Sequence, residues 1–175
     1  MVILTFEPPN EIDKKDVNKI VKSALDILET NSLLSLSTFD EKNKQPSVCS
    51  VYYAFDNDFN LYIWTDPKSQ HSKNTIKNYK IGADIYDSHQ EWGELLKGLQ
   101  IEGKIYSLSN KELLVGGSLY LKRYLKASNF IKNIKDFNST KFESKLYKIM
   151  IDKIKVLDEE NFGKENYKIL LIKRA

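Results

Sequence analysis

Cysteine is almost absent from this chain. Cys49 stands alone among 175 residues, which excludes an internal disulfide and suits a reducing compartment such as the cytoplasm. Its mid-strand setting reads as a small packing residue. Histidine is nearly as scarce. His71 and His89 are the only two, and with scattered carboxylates they give no metal-ligand spacing. His89, in the polar stretch 87–91, reads as a solvated loop residue. Neither Ser50 nor Ser69 has a histidine and an acid arranged around it, so a hydrolase triad finds no support. Long apolar runs are missing too. The opening Val2-Ile3-Leu4 turns at Glu7-Pro8-Pro9, too short for a signal peptide, and no later run approaches the roughly 20 apolar residues of a membrane span. No charge sign dominates. The 27 Lys and Arg against 24 Asp and Glu leave +3, no global pull toward nucleic acid or membrane. Repeats and low-complexity linkers are absent, so the expectation is a single soluble cytoplasmic domain over residues 1–175.

What is present is a strand-rich pattern. A hydrophobic fraction of 41% with 11% aromatic residues is that of a folded domain. Asp13, followed by Asp16, starts a helix over about 13–29. Its apolar residues Val17, Ile20, Val21, Ala24, Leu25 and Leu28 form one stripe at i, i+3, i+4 spacing, suited to packing on a sheet. Strands follow at 33–39, 48–55 and 61–65, joined by the polar turns 40–45 and 56–60, which makes an antiparallel meander. Asp66-Pro67 signals a helix over about 67–78, with Asp66 as cap and Pro67 in the first turn. Strands at 81–86 and 99–108 come next, with Gly103 as a bulge or bend. Residues 111–126 are helical by composition, interrupted by Gly116-Gly117, and 130–137 is a second short helical piece. From 145 to 157, Tyr147, Ile149 and Ile151 face one way. The phase then slips near Asp152 to Ile154 and Val156, as a bulge in a long curving strand requires. A last strand covers 167–172. The class is mainly β with flanking helices (α+β), and a closed or split barrel is an arrangement that handles the edges of such a sheet.

Four stretches carry a resemblance. Trp64-Thr65-Asp66-Pro67-Lys68-Ser69-Gln70-His71 joins an apolar strand to a polar helix opening. Before it, Gln45 to Asp56 is a strand, and after it come Lys97-Gly98-Leu99-Gln100-Ile101-Glu102-Gly103 and the closing Phe162-Gly163-Lys164. In this order and spacing the chain resembles the FMN-binding split barrels, the superfamily of pyridoxamine 5'-phosphate oxidase, over about residues 30–172. The resemblance implies a six- to seven-stranded antiparallel split barrel that binds FMN and works as a homodimer. Lys68, Ser69, Gln70 and His71 then align with the segment that holds the flavin phosphate. Cys49, Ser50, Val51 and Tyr52 align with the strand whose backbone borders the ring, and Trp64 and Thr65 with the pair that meets ring and ribityl chain. Gln100 stands two residues beyond the position of a family glutamine. Val48, Val51, Tyr53 and the strand 99–106 are the apolar candidates for the dimer face.

Departures from the pattern bear on the chemistry. The oxidase branch has arginine at the position of Cys49 and an Arg-Lys pair at that of Gln70-His71. Cations at the proposed phosphate site therefore reduce to Lys68, with Lys73 nearby. The arginine-rich closing segment of the oxidases is missing as well, which argues against pyridoxal phosphate synthesis. A flavin-dependent oxidoreductase of unassigned substrate is the leading expectation. A flavin carrier or sensor without turnover is one alternative, with Trp92 either a lid over the ring or a structural core residue. Another is a nucleic-acid or protein interaction module. It rests on Lys122, Arg123, Lys126, Lys132, Lys135, Lys141, Lys145 and Lys148, interleaved with Tyr120, Tyr124 and Phe130.

Overall fold

A computed structural model describes residues 2–7, 14–139 and 142–174. Among the described residues, eight strands form one antiparallel sheet: β1 (Val2–Glu7), β2 (Leu33–Asp40), β3 (Gln45–Phe55), β4 (Asn60–Thr65), β5 (Lys80–Tyr86), β6 (Lys97–Ser107), β7 (Lys145–Asp158) and β8 (Tyr167–Arg174). Their order is β1-β8-β7-β4-β3-β2-β5-β6, and a further β6–β7 pairing closes β7, β4, β3, β2, β5 and β6 into a barrel. β8 and then β1 extend the sheet from β7. The pairing of Val2–Glu7 with β8 is one the sequence reading did not include. Among the described residues, four α-helices decorate the barrel: α1 (Lys14–Thr30), α2 (Gln70–Lys77), α3 (Asn110–Arg123) and the single turn α4 (Glu159–Phe162), with short 3-10 turns at Leu125–Asn129 and Ile134–Asn138. Asp13, the expected cap of α1, lies outside the described residues.

The barrel interior is built by strand parity. Leu34 and Leu36 of β2, Tyr53 of β3, Leu61 and Ile63 of β4, Ile85 of β5, Leu99 of β6 and Ile149, Ile151, Ile154 and Val156 of β7 are all essentially inaccessible. Burying each such side chain is worth about 1.5–3 kcal/mol. The phase slip in β7 is real. Glu102 pairs with Lys153 and Gly103 with Ile151, so Asp152 is skipped, and the inward set passes from Ile149 and Ile151 to Ile154 and Val156. Glycine is required opposite it, because a Cβ at Gly103 would lie 2.5 Å from the Met150 carbonyl oxygen. The bulge also changes β7's outer partner, from β4 at residues 145–150 to β8 at residues 153–157.

Helices cover the two ends. α1 sends Ile20, Ala24, Ile27 and Leu28 into the barrel core. It is tied to the far end of β3 by the Tyr53 hydroxyl, which donates to the Leu28 carbonyl, and to β7 by Ser23 Oγ donating to Asp158 Oδ2 at 2.6 Å. α2 sits at the opposite end, where Asn74 Nδ2 donates to Thr38 Oγ1 of β2. α3 lies outside the barrel over Tyr62 and Leu146. It runs unbroken through Gly116-Gly117. A Cβ at Gly116 would stand 2.4 Å from the Tyr62 ring, so these glycines permit close packing and do not interrupt the helix.

Candidate functional site at the split

β3 and β4 part company early. Their pairing covers only Tyr53↔Ile63, Ala54↔Tyr62 and Phe55↔Leu61, whereas β3 pairs with β2 over Gln45 to Tyr52. Along residues 45–52, β3 therefore presents one backbone edge outside the β3–β4 ladder, with half of its amides and carbonyls directed away from β2. The end of β4 and the start of α2 lie beside this opening. That is the split in the barrel.

The 66–72 segment folds as a turn followed by a helix. Asp66 Oδ1 accepts from the Lys68 amide at 2.7 Å, and Ser69 Oγ donates to the Asp66 carbonyl at 2.7 Å. Ser69, not Asp66, caps α2, accepting from the Ser72 amide, and the helix starts at Gln70. The expected start at Pro67 is displaced because Asp66 spends its carboxylate on the turn. Four predicted residues gather here. His71 Nε2 lies 2.7 Å from Thr65 Oγ1 and 3.0 Å from Ser69 Oγ, and Lys68 stands at the rim. Thr65 is buried and His71 half-buried. Burial holds the His71 imidazole below its ordinary range, against a smaller opposing pull from the Asp66 carboxylate, so near neutral pH the ring is uncharged. Ser69 continues the network to Ser72 Oγ at 3.0 Å, and Ser72 shares a hydrogen bond with Tyr147 of β7. The sequence reading missed Ser72 and Tyr147. The i+3 spacing from Ser69 to Ser72 was a usable signal, whereas Tyr147 arrives only through long-range strand pairing.

Lys68 is itself engaged at that rim, and the remaining predicted residues scatter. Lys68 Nζ pairs with Glu143 at 3.3 Å and both are well exposed. Gln70 donates to Asp40 and Asn74. Trp64 packs edge-on against Tyr120, Phe137 and Phe142 beneath α3, so its ring is used in packing. Cys49 turns inward against the core, and burial raises its thiol above the ordinary range. Val51 and Tyr53 correct the interface expectation. Both face the barrel interior, at 9% and 0% exposure, while Val48 and Tyr52 of the other parity are 67% and 55% exposed. Gln100 lies on the outer wall, where strand register aligns Ser50, Ser35, Asp84, Gln100 and Lys155 in one row. The wall forms a shallow groove of about 500 Å³ floored by Ser35, Ser37 and Gly82. Desolvation raises the Asp84 carboxyl in it.

Two other expectations change. Trp92 is fully exposed on the β5–β6 loop, neither core nor, in the isolated chain, a lid. His89 is exposed, as expected, and is bonded to Asp87. The basic stretch is committed only in part: Lys122, Lys126, Lys132 and Lys135 are exposed, whereas others are tied into the fold. Arg123 donates to the carbonyls of Leu28 and Asn31 at 2.7 and 2.5 Å, Lys145 to that of Ser139, and Lys148 to Glu112. Tyr120 is buried, and Lys141 lies outside the described residues. Among the described residues no cluster of His, Cys, Asp and Glu is suited to a metal ion, and no helix is long and apolar enough to cross a membrane.

No family model matches the chain, and no curated protein matches it in sequence. Solved structures do match. A heme binding protein from Mycobacterium smegmatis superposes with a TM-score of 0.68 at 12% identity, over 86% of this chain and 57% of its own. A putative pyridoxamine 5'-phosphate oxidase from Listeria innocua gives 0.60 at 14% identity, over 78% and 97%. The fold is the split barrel of the pyridoxamine 5'-phosphate oxidase-like proteins. A nimC/nimA family protein from Clostridium acetobutylicum shares this split barrel, with a TM-score of 0.59 at 15% identity over 89% of this chain and 93% of its own. This chain spans less than two thirds of the length of the mycobacterial protein. At these identities the shared property is the split-barrel fold.

Proposed function

We propose that this split barrel binds FMN, one per subunit, with the phosphate at the start of α2 and the ring along the open edge of β3. The observation that carries this reading is the split itself: an unladdered strand edge adjoining a helix start that is rich in donors. The donor set suits the ligand. Lys68 brings a cation, and Thr65, Ser69 and Ser72 bring hydroxyls. The first amides of α2 precede any intrahelical acceptor and carry the positive end of the helix dipole. The edge amides and carbonyls of Cys49 to Tyr52 can meet the polar rim of a flat ring, with Val48 and Tyr52 as apolar surface beside it. When bound, a flavin supplies electron or hydride transfer. The chain's own part is to position the ring and shield it from water. Cys49 is inward and unactivated, and no side chain is assigned as acid or base.

The subunits pair as a homodimer in this reading. Leu33 and Tyr52 are directly opposed on β2 and β3 and about half exposed, with Val48 beyond them. Covering that outer face would enclose the split from the side that one chain leaves open.

Titration of the purified protein with FMN, with heme as a parallel arm, tests the proposal. Stoichiometric quenching of flavin fluorescence and a raised thermal midpoint are expected. A folded sample that shows neither at millimolar FMN, or that takes up heme alone, overturns it.

A further inference from the structure

The outer wall that carries the groove has a pattern complementary to itself. Strand register sets its outward residues in rows that cross β2, β5, β6, β7 and β8 in that order. The middle row reads Ser35, Asp84, Gln100, Lys155 and Ile169, and the next reads Ser37, Gly82, Glu102, Lys153 and Leu171. On the β2 and β5 side of β6 these residues are small or acidic. On the β7 and β8 side they are long, and either basic or apolar. A third row adds Tyr86, Gly98, Leu157 and Tyr167, with both tyrosines about half exposed. Asp84 and Lys155 flank Gln100, so their backbones lie two strand spacings apart, about 10 Å. Among the described residues neither has an ion-pair partner. Lys155 Nζ lies 4.1 Å from the centroid of the Tyr167 ring instead, and burial without a cation raises the Asp84 carboxyl. Glu102 and Lys153, by contrast, pair with each other at 3.0 Å.

Resting on the homodimer reading above, we infer that this wall is where the second copy docks, about a two-fold axis that lies in the contact plane and runs along β6 past Gln100. Such an axis reverses the strand order, laying β5 on the partner's β7 and β2 on the partner's β8. Asp84 then meets the partner's Lys155, and Lys155 meets the partner's Asp84. The groove floored by Ser35, Ser37 and Gly82 receives the partner's Ile169, Leu171 and Lys153. Tyr86 comes against the partner's Leu157. Charge, size and polarity agree in one register, which a partner of unrelated sequence has no reason to satisfy. Val48, opposite Ser37 in the β2–β3 ladder and part of the groove, carries the contact to the edge of the split. Each ion pair occurs twice in the dimer, so one charge reversal puts two repulsive contacts into the interface.

Charge-reversed chains, followed by sedimentation velocity and native mass spectrometry, test this. Asp84→Lys and Lys155→Asp should each weaken self-association by about a hundredfold or more, with strand content unchanged. Mixed in equal amounts, the two variants should associate again, one chain of each, because the first presents two lysines to the two aspartates of the second. Both substitutions in one chain should restore self-association. A wild-type dimer whose affinity neither reversal changes, or single variants that dissociate and do not pair on mixing, overturns the inference and leaves FMN binding and the homodimer standing. A wild-type monomer removes the homodimer and this inference together. Should a variant fail to fold, carbodiimide coupling of the wild-type protein decides. On mixed light and isotope-labelled chains it should join Asp84 of one chain to Lys155 of the other, and a dimer without that link between chains refutes the pairing.

Discussion

His71 and Lys68 sit three residues apart and carry opposite lessons about charge. His71 has its protonation depressed by burial in the folded chain. Its contribution to stability is therefore present above its unfolded value, near pH 6.5, and is lost as pH falls through the lower folded value. The thermal midpoint of the ligand-free protein should decline on that acid side, and His71→Gln should remove this part of the decline. Identical acid limbs for the two proteins would show that the ring does not report on stability. Lys68 is different because its partner Glu143 is as exposed as itself. Such pairs are worth about 0–1 kcal/mol, so Lys68→Ala should leave the thermal midpoint almost unchanged. A charge-assisted contact to phosphate is worth about 1.5–3 kcal/mol. The same variant should then weaken FMN by roughly ten- to a hundredfold and spare riboflavin. Equal losses for both flavins would place Lys68 elsewhere than at the phosphate. Asp66-Pro67-Lys68-Ser69 was visible as a helix start, but a two-way competition for the cap was not. Ser69 wins because Asp66 is already bonded to the Lys68 amide.

Among the elements, β7 and α3 show how a few residues shape the barrel. The phase slip at Asp152 was legible in the alternation alone, because inward and outward positions must each keep their parity. The close contact that demands glycine at position 103 was not, since it depends on which strand lies opposite. Gly103→Ala should destabilise the protein by about 1–3 kcal/mol, because the obstructing atom is backbone and cannot rotate away. Denaturant unfolding would measure this, and a loss below about 0.5 kcal/mol would show that the bulge is more plastic than its geometry implies. α3 is bound to α1 through Arg123, whose guanidinium lies over the Tyr53 and Phe55 rings at 5.0 and 5.1 Å while donating to the Leu28 and Asn31 carbonyls. By sequence this arginine read as one of a row of surface cations. Its burial comes from the packing of three separate elements, which no local pattern records.

At the scale of the whole molecule, the barrel leaves an outer face on β2 and β3 where Leu33, Val48 and Tyr52 are exposed. Light scattering at micromolar concentration should report about twice the 20.3 kDa chain mass, since stable isologous contacts bury roughly 1,200–2,000 Å² or more. Tyr52→Asp should shift this toward monomer with little change in helix and strand content. A wild-type monomer that still binds FMN stoichiometrically would confine the site to one chain.

The amino-acid sequence by itself determined the class, most element positions and the inward set of β7 with its phase slip, because periodicity is a local consequence of backbone geometry. It also carried the ordered motifs by which the split barrel is recognised. Tertiary structure decided what those motifs share. It brought Thr65, Ser69 and His71 to one imidazole nitrogen, turned Val51 and Tyr53 away from the proposed interface, and placed Trp64 under α3. It also added β1 to β8 and tied Arg123, Lys145 and Lys148 of the basic stretch into the fold. Each of these depends on which distant segments come to lie side by side, and the chain's local pattern does not encode the register of strands that meet a hundred residues apart.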